Sequence, residues 1–519
     1  MENQCVGLSQ RDSCNPKKLK LHKCLVRSLG MCIFLYQSPL SAKNWQFVPS
    51  IHLQETYSDN INLASSGKKK GALVTSLSPA LNIIWQAGKS NLNLRYNMQN
   101  LYNAQGDDDY SLYHQLQLNG HNVLSPNRFY VNSRASISQQ NISNTRLRGD
   151  TISGSSGDIT TVSTAGISPM WTPHFGNYAY GTVRVDADTV TSGAGSATLS
   201  DSVSVAESVQ LNSGSKFKRV AWSAGFNNSQ TFRSVGEDVR FQNSSLTLRP
   251  YINKKLSLFA TVGYSDNQFA SNTQSSENGF FYTAGLRWSP NTHYWVEIGG
   301  GNNSYATVNI SPTKRLNWLT TVRHNNIGLN TGTTWQTALN YRTRHSSWTF
   351  SHDNDTTTVQ EILLKPTNVS IDIDPDPNMT DIRNIIIGIP TLTNEVLVRE
   401  SWNLSAAYFT GKSTLRLSAF NQDRTFEQRQ LTERIRGVSG GWNWQFARKT
   451  NLYLSPQWQQ IDRGSQHPDN RYDVAVGLSR MIAKGLSGSL EFRHLTQTSD
   501  LSSNDYEENR ATANLFMRF

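Results

Sequence analysis

Leu486-Ser487-Gly488-Ser489-Leu490-Glu491-Phe492-Arg493 is the stretch on which the reading of this chain turns. Leu486, Gly488, Leu490 and Phe492 alternate with Ser487, Ser489, Glu491 and Arg493, and a period of two is what a β-strand converts into one apolar and one polar face. The same rhythm sets Leu92, Leu94, Tyr96 and Met98 against Asn93, Arg95 and Asn97, and Val220, Trp222, Ala224 and Phe226 against Ala221, Ser223, Gly225 and Asn227. It recurs from end to end in stretches of about 7 to 10 residues, while helical periodicity is scarce.

One such strand fits a soluble sandwich equally well, so the connections must discriminate. Brief turns recur at Gly88-Lys89-Ser90, Pro126-Asn127-Arg128, Gly214-Ser215-Lys216, Asn253-Lys254-Lys255 and Pro290-Asn291-Thr292. More follow at Pro312-Thr313-Lys314, Arg344-His345-Ser346, Gly411-Lys412-Ser413, Arg448-Lys449-Thr450 and Ala483-Lys484-Gly485, with a broader bend around Pro169 to Pro173. Between them lie longer polar stretches: Gly106 to Asp109, Gly149 to Thr164, Thr191 to Ser204 and Asp462 to Asn470. Short turns on one side and long loops on the other mark an outer-membrane barrel. The turns separate about twelve hairpins, which predicts an all-β, transmembrane, antiparallel up-and-down barrel of about 24 strands, within a range of about 20 to 26. The longest insertion runs from about Asp353 to Arg399 and contains Ile371-Asp372-Ile373-Asp374-Pro375-Asp376-Pro377. Pro377 and Arg383 stand where a calcium loop needs glycine and glutamate, so this string reads as a solvated acidic loop, folded either inward as a constriction or outward over the surface.

Composition agrees. Of 519 residues only 37% are hydrophobic, yet there are 13 Trp, 19 Tyr and 20 Phe. A barrel needs that mixture, with a polar interior and aromatic belts at both membrane interfaces. Lys17, Lys18, Lys20 and Lys23 precede an apolar stretch from Leu25 to Tyr36, and Leu40-Ser41-Ala42 offers a cleavage site, so residues 1–42 read as a signal peptide and 43–519 as the barrel. Cys5, Cys14, Cys24 and Cys32 all precede the cut, which removes disulfides, thiolate zinc sites and thiol nucleophiles from the mature chain. The leader's six cations and two acids account for +4 of the formal +11, leaving +7. No run of about 18 apolar residues follows, so the strands must do the spanning. At the far end Leu515, Met517 and Phe519 share a face with Ala511 and Ala513, opposite Thr512, Asn514 and Arg518. A last strand ending on an aromatic is similar to the signal read by barrel-assembly machinery.

Several stretches resemble the outer-membrane family associated with PEP-CTERM and exosortase exopolysaccharide gene clusters. They are Glu55-Thr56-Tyr57-Ser58-Asp59-Asn60-Ile61-Asn62-Leu63, Ser168-Pro169-Met170-Trp171 with Phe175-Gly176-Asn177-Tyr178, and Leu248-Arg249-Pro250-Tyr251 with Gly263-Tyr264-Ser265-Asp266. Tyr341-Arg342-Thr343-Arg344, Trp348-Thr349-Phe350-Ser351 and Leu415 to Phe420 complete the series, in order along the mature chain. The resemblance implies a role in exopolysaccharide export or organisation at the outer membrane. It transfers no active residues.

HExxH, GxSxG, Walker and dinucleotide-binding patterns are absent from fitting contexts, so neither an enzyme nor a cofactor or metal site is expected. Basic residues are spread rather than gathered, which argues against nucleic acid despite the charge. Alternation places Arg95, Arg184, Arg249, Arg287, Arg342, Arg416, Arg493 and Arg518 toward the lumen, with Asp186, Asp473, Glu297 and Glu491. A charge facing lipid costs roughly 2 to 4 kcal/mol near the midplane. Two readings stay open: a basic, anion-favouring passage, or a ladder of arginines paired with acids that braces the wall. Trp288, Trp402, Trp442, Trp444 and Tyr472 read as an interfacial girdle near the short turns, and Trp295 and Phe259 as inward sugar platforms. The expected partners are outer-membrane lipid, lipopolysaccharide, the assembly machinery, an anionic polysaccharide and periplasmic export components. An exopolysaccharide channel or scaffold is the leading reading, with a general diffusion porin or a non-conducting, adhesin-like barrel as alternatives.

Overall fold

A computed structural model describes residues 44–104, 110–142, 150–154, 158–193, 199–273, 275–364, 392–464, 468–500 and 504–519. The expected signal peptide at 1–42 and the Ile371 to Pro377 string lie outside the described residues.

Twenty-four long antiparallel strands form one closed ring, with the two-residue strand His174–Phe175 attached beside Ala179–Ser192. Each strand pairs with its sequence neighbour, and the first, Trp45–Ser58, pairs with the last, Tyr506–Arg518, from Ser50↔Arg518 to Ser58↔Arg510. Closure leaves no unpaired edge, the condition for carrying a sheet through lipid. Each of the short turns read from the sequence joins two paired strands, because Gly, Pro, Asn and Lys supply the dihedral freedom and polarity of a tight reversal. Gly88 and Gly485, with φ of +57° and +78°, occupy left-handed positions at two of these turns.

The alternation holds as register. In Asp469–Ala483, Tyr472, Val474, Val476 and Leu478 are exposed outward while Arg471, Asp473, Ala475 and Ser479 are buried inward. Tyr453 points inward over Gly477, where a Cβ would come within 2.2 Å of its ring, and its hydroxyl donates to Glu491 at 2.5 Å. Leu515, Met517 and Phe519 lie on the outward phase, and the Phe519 amide donates to the Pro49 carbonyl at 3.0 Å.

Strands reach further toward the long loops than the polar stretches suggested. Ile159–Trp171 takes in the end of the stretch read as a loop up to Thr164. The predicted insertion at 353–399 is also too wide, since Asp353↔Ser401 through Thr358↔Val396 are paired strand residues and the connection runs from Val359 to Glu395. Both differences have one cause. A strand of 13 or 14 residues, as these are, exceeds the 9 to 11 or so needed to cross lipid. Its outer end is wet on both faces and loses the apolar half of its pattern.

Candidate functional site

The interior divides by height. Toward the short turns, inward residues form ion pairs and aromatic stacks between strands up to three places apart in the ring. Arg249 Nη1 donates to Glu297 Oε2 at 2.8 Å, Arg287 lies 3.7 Å from the same carboxylate, and Tyr305 donates its hydroxyl to Glu297 Oε1 at 2.6 Å. The Arg287 guanidinium sits 3.9 Å from the Trp295 ring centre and that of Arg249 5.3 Å from Phe259, which also stacks on Tyr305. Phe259 is 2% exposed and therefore offers no free face for a sugar. Trp295 is capped by its arginine.

A second ladder joins Arg134 to Asp188, Arg184 to Asp186 at 2.7 Å, and Ser168 to Asp186 at 2.5 Å. A third pairs Arg399 with Asp355 through two parallel bonds of 2.9 and 2.8 Å. Fully buried Arg424 meets Glu433 at 3.2 Å. Sequence reasoning had named Arg184, Arg249, Arg287 and Arg493 but missed Arg134, Arg399, Arg424, Arg471 and Arg510, as well as the acids Asp188, Asp355, Glu433 and Glu508. Their alternation signal was present but weaker, because they sit at mid-strand, as Arg134 does, or in the outer halves of strands, where polar residues occur on both faces. Arg95, Arg342 and Arg518 are exposed on the inward phase, and Arg416 shares that phase, half-buried. The bracing ladder is thus the geometry found at Arg184, Arg249, Arg287 and Arg493.

Toward the long loops an apolar filling joins the ion pairs. After Ser346–Thr358 the chain makes a short helix, Val359–Leu364, whose Val359, Ile362, Leu363 and Leu364 are buried. They pack with Leu392 and Leu397, with Phe426, and with Val162, Val190 and Leu199. Val162 and Val190 belong to Ile159–Trp171 and Ala179–Ser192, which stand almost opposite the helix's own strand around the ring. An apolar core therefore crosses the mouth from wall to wall. Each such side chain stabilises the closed arrangement by roughly 1.5 to 3 kcal/mol relative to exposure. Polar ties accompany it: Asn394 Oδ1 accepts from Gln360 Nε2 at 3.1 Å and from the amide and hydroxyl of Ser200 at 2.8 and 2.9 Å.

A second segment enters from another quarter. Residues 150–154 fold against the first and last strands, where Asp150 Oδ2 accepts from Arg493 Nη1 at 3.1 Å and Arg510 Nη1 at 2.5 Å. Ser153 donates to Glu508 at 2.5 Å, and the Gly154 amide donates to the Ile61 carbonyl at 2.7 Å. Ile61 packs with Ala72, Val74 and Leu101, beside Ile152. Burial opposes the charge on Asp150, but the Arg510 and Arg493 guanidiniums outweigh it and hold the carboxyl well below the usual range. Arg493, also held by Asp473 at 2.8 Å, faces inward as expected but is covered by this segment.

Outside, Trp288 and the stacked pair Trp442 and Trp444, 5.8 Å apart, lie near the short turns. Tyr472 does not: it stands near the loop-side start of its strand, and Trp402 sits at mid-strand. Reading each aromatic's height required strand ends that the polar outer halves obscured.

A closed antiparallel ring with an apolar exterior and a charged interior is an outer-membrane β-barrel, placed in the bacterial outer membrane, and here its loop-side mouth is filled by its own chain. Neither a family profile nor a curated protein sequence matches it. Among solved structures it is similar to OmpT, an outer membrane protein of Vibrio cholerae, at 9% identity over 93% of this chain and 99% of that one, with a TM-score of 0.33. It is similar also to the FrpB iron transporter from Neisseria meningitidis (10%; 92% and 82%; 0.43) and the siderophore receptor PirA from Acinetobacter baumannii (8%; 91% and 80%; 0.45). At this distance the likeness concerns architecture alone.

Proposed function

We propose that the barrel is a gated channel or scaffold assisting exopolysaccharide export, as the PEP-CTERM-associated resemblance implies, and that it performs no covalent chemistry. One observation carries the reading: the apolar core of Val359–Leu364, Leu392 and Leu397 against Val162 and Val190 across the mouth. A general diffusion porin keeps its lumen open to water, and an apolar core there works against passive flow. A polymer exporter needs the reverse, a wide bore that stays shut between passengers. Exposed Arg95 and the turn-side Arg342 and Arg518 present cations to an anionic chain entering from the periplasm. Periplasmic export components would deliver it, and the assembly machinery would read Leu515, Met517 and Phe519.

Two measurements test this together. Cells lacking the protein should hold polymer in the periplasm; normal surface polymer overturns the export role. In planar bilayers the intact barrel should conduct poorly, and a variant lacking residues 360–394 should conduct strongly with anion preference. Free uptake of small neutral sugars by liposomes carrying the intact protein would make it a porin. Silence of both forms would make it a non-conducting surface barrel.

A further inference from the structure

The outer wall carries a hollow that the channel reading does not use. On the strands Gly332–Arg342, Ser346–Thr358 and Val396–Phe409, outward residues climb from the turns in rows. Tyr341 stands beside Trp348, and above them Leu339, Phe350 and Leu404 make a fully apolar row. The next row is Thr337, His352 and Trp402, followed by Asn354 and Glu400, with Trp335 two residues on from Thr337 on the same face. Trp335, Trp402, Phe350, His352, Asn354 and Glu400 line a shallow, open hollow of about 560 Å³.

Three observations distinguish this hollow from a stretch of girdle. Trp335 and Trp402 remain 44% and 39% exposed, so each ring still presents open surface. His352, only 7% exposed, is fixed against Trp335 with ring centres 4.7 Å apart and stands 3.7 Å from Glu400. Asn354 Oδ1 is buried with no hydrogen-bond partner among the described residues, an acceptor that loses free energy until a donor reaches it. Exposed aromatic faces beside a few converging polar groups suit a pyranose ring, whose axial C–H face stacks while its hydroxyls donate. Charge argues against a phosphate group as the contact. Glu400 faces the hollow, and the outward arginines two strands away are already engaged, Arg434 by Asp423 through bonds of 2.9 and 3.0 Å and Arg436 by Gln460 at 2.6 Å. The apolar rows directly below give the occupant its second half, since a free sugar has no use for them and acyl chains do.

We propose that this hollow binds the saccharide headgroup of an outer-leaflet glycolipid, with the sugar on Trp335 and Trp402, hydroxyls on Asn354 Oδ1 and Glu400, and acyl chains along Phe350, Leu404 and Trp348. The inference is independent of what crosses the lumen.

The test uses the full mature chain, folded in an amine-oxide detergent that has no sugar headgroup, with lipopolysaccharide-derived glycolipid as the probe. Tryptophan fluorescence and native mass spectrometry report binding, and heat-dependent gel mobility reports an intact barrel. Saturable binding of one glycolipid is expected, weakened at least about tenfold, the equivalent of roughly one good contact, in Trp402→Ala and in the conservative Glu400→Gln. Phosphatidylethanolamine should not compete, and the deacylated saccharide should bind more weakly than the intact lipid. Undiminished binding by folded Glu400→Gln and Trp402→Ala overturns the site. Competition by phosphatidylethanolamine reduces it to generic lipid contact, and equal affinity for the free saccharide refutes a glycolipid as the occupant.

Discussion

The mouth and the turn-side half of the lumen are built from the same strands and both hold ion pairs, such as Arg424–Glu433 above and Arg249–Glu297 below, yet the mouth adds a cluster of Leu, Val and Phe. Where Arg249, Arg287, Glu297 and Tyr305 meet, every contact lies between nearby strands of one wall, so the ladder stiffens that wall without narrowing the bore. Where Val359–Leu364 meets Val162 and Val190, the contact joins opposite walls. Charge in a barrel can be solvated in place, whereas apolar side chains in an aqueous lumen must find each other. Local ion pairs therefore make a tube and a crossing apolar cluster makes a lid.

The largest effect should come from breaking the lid. Leu397→Asp places a carboxylate in the apolar cluster, where burial opposes its charge and the contacts of the leucine are lost. Bilayer conductance should rise at least about tenfold, as expected when several kcal/mol are withdrawn from the closed state. Unchanged conductance would mean that the lid does not limit flow.

Asp150→Asn comes next. It removes the anion shared by Arg493 and Arg510, though each keeps a second partner in Asp473 and Glu508. A loss of about 2 to 3 kcal/mol from docking of residues 150–154 is expected, below the cost of stranding a wholly unpaired buried charge. Hydrogen exchange at the Gly154 amide, which bonds to the Ile61 carbonyl, should accelerate, and wild-type rates would refute the tether.

Acid gives a smaller and oppositely directed test. Because the Asp150 carboxyl is held well below its unfolded value near 3.8, its contribution is complete above that value and is lost only as pH falls through the lower folded one. Protection of the Gly154 amide from hydrogen exchange, corrected for the intrinsic pH dependence of exchange, should therefore survive titration from pH 7 to about 4. Release above pH 5 would show that the pairing does not hold the segment. The smallest change belongs to the turn-side ladder: Arg249→Ala should cost about 1 kcal/mol in urea unfolding without raising conductance. A conductance change would show that this wall also gates.

How much of this the residues themselves disclosed differs between the two regions. Every short turn was legible because Gly88-Lys89-Ser90 and its counterparts interrupt a regular alternation, and the turns gave the strand count. Inward phase followed wherever apolar neighbours marked the other face, as at Arg249 beside Leu248. Pairing partners were not legible, because which inward acid meets which arginine depends on the stagger between strands. The lid left one signal that went unread: Val359, Ile362, Leu363 and Leu364 are strongly apolar for an insertion otherwise read as solvated. Their destination, on strands nearly two hundred residues earlier, is a property of the closed ring.

The pairing of Trp45–Ser58 with Tyr506–Arg518 also governs how this molecule is made. His52 bonds to Asn514 across 462 positions of sequence, so the seam is the costliest contact to close and must be among the last. Until then the leading strand presents a bare row of amides and carbonyls to every other nascent chain in the periplasm. Selection on this sequence must therefore act through escort and insertion as much as through the finished cylinder, and a slow-closing variant should be lost to aggregation or proteolysis before any defect in transport could be seen.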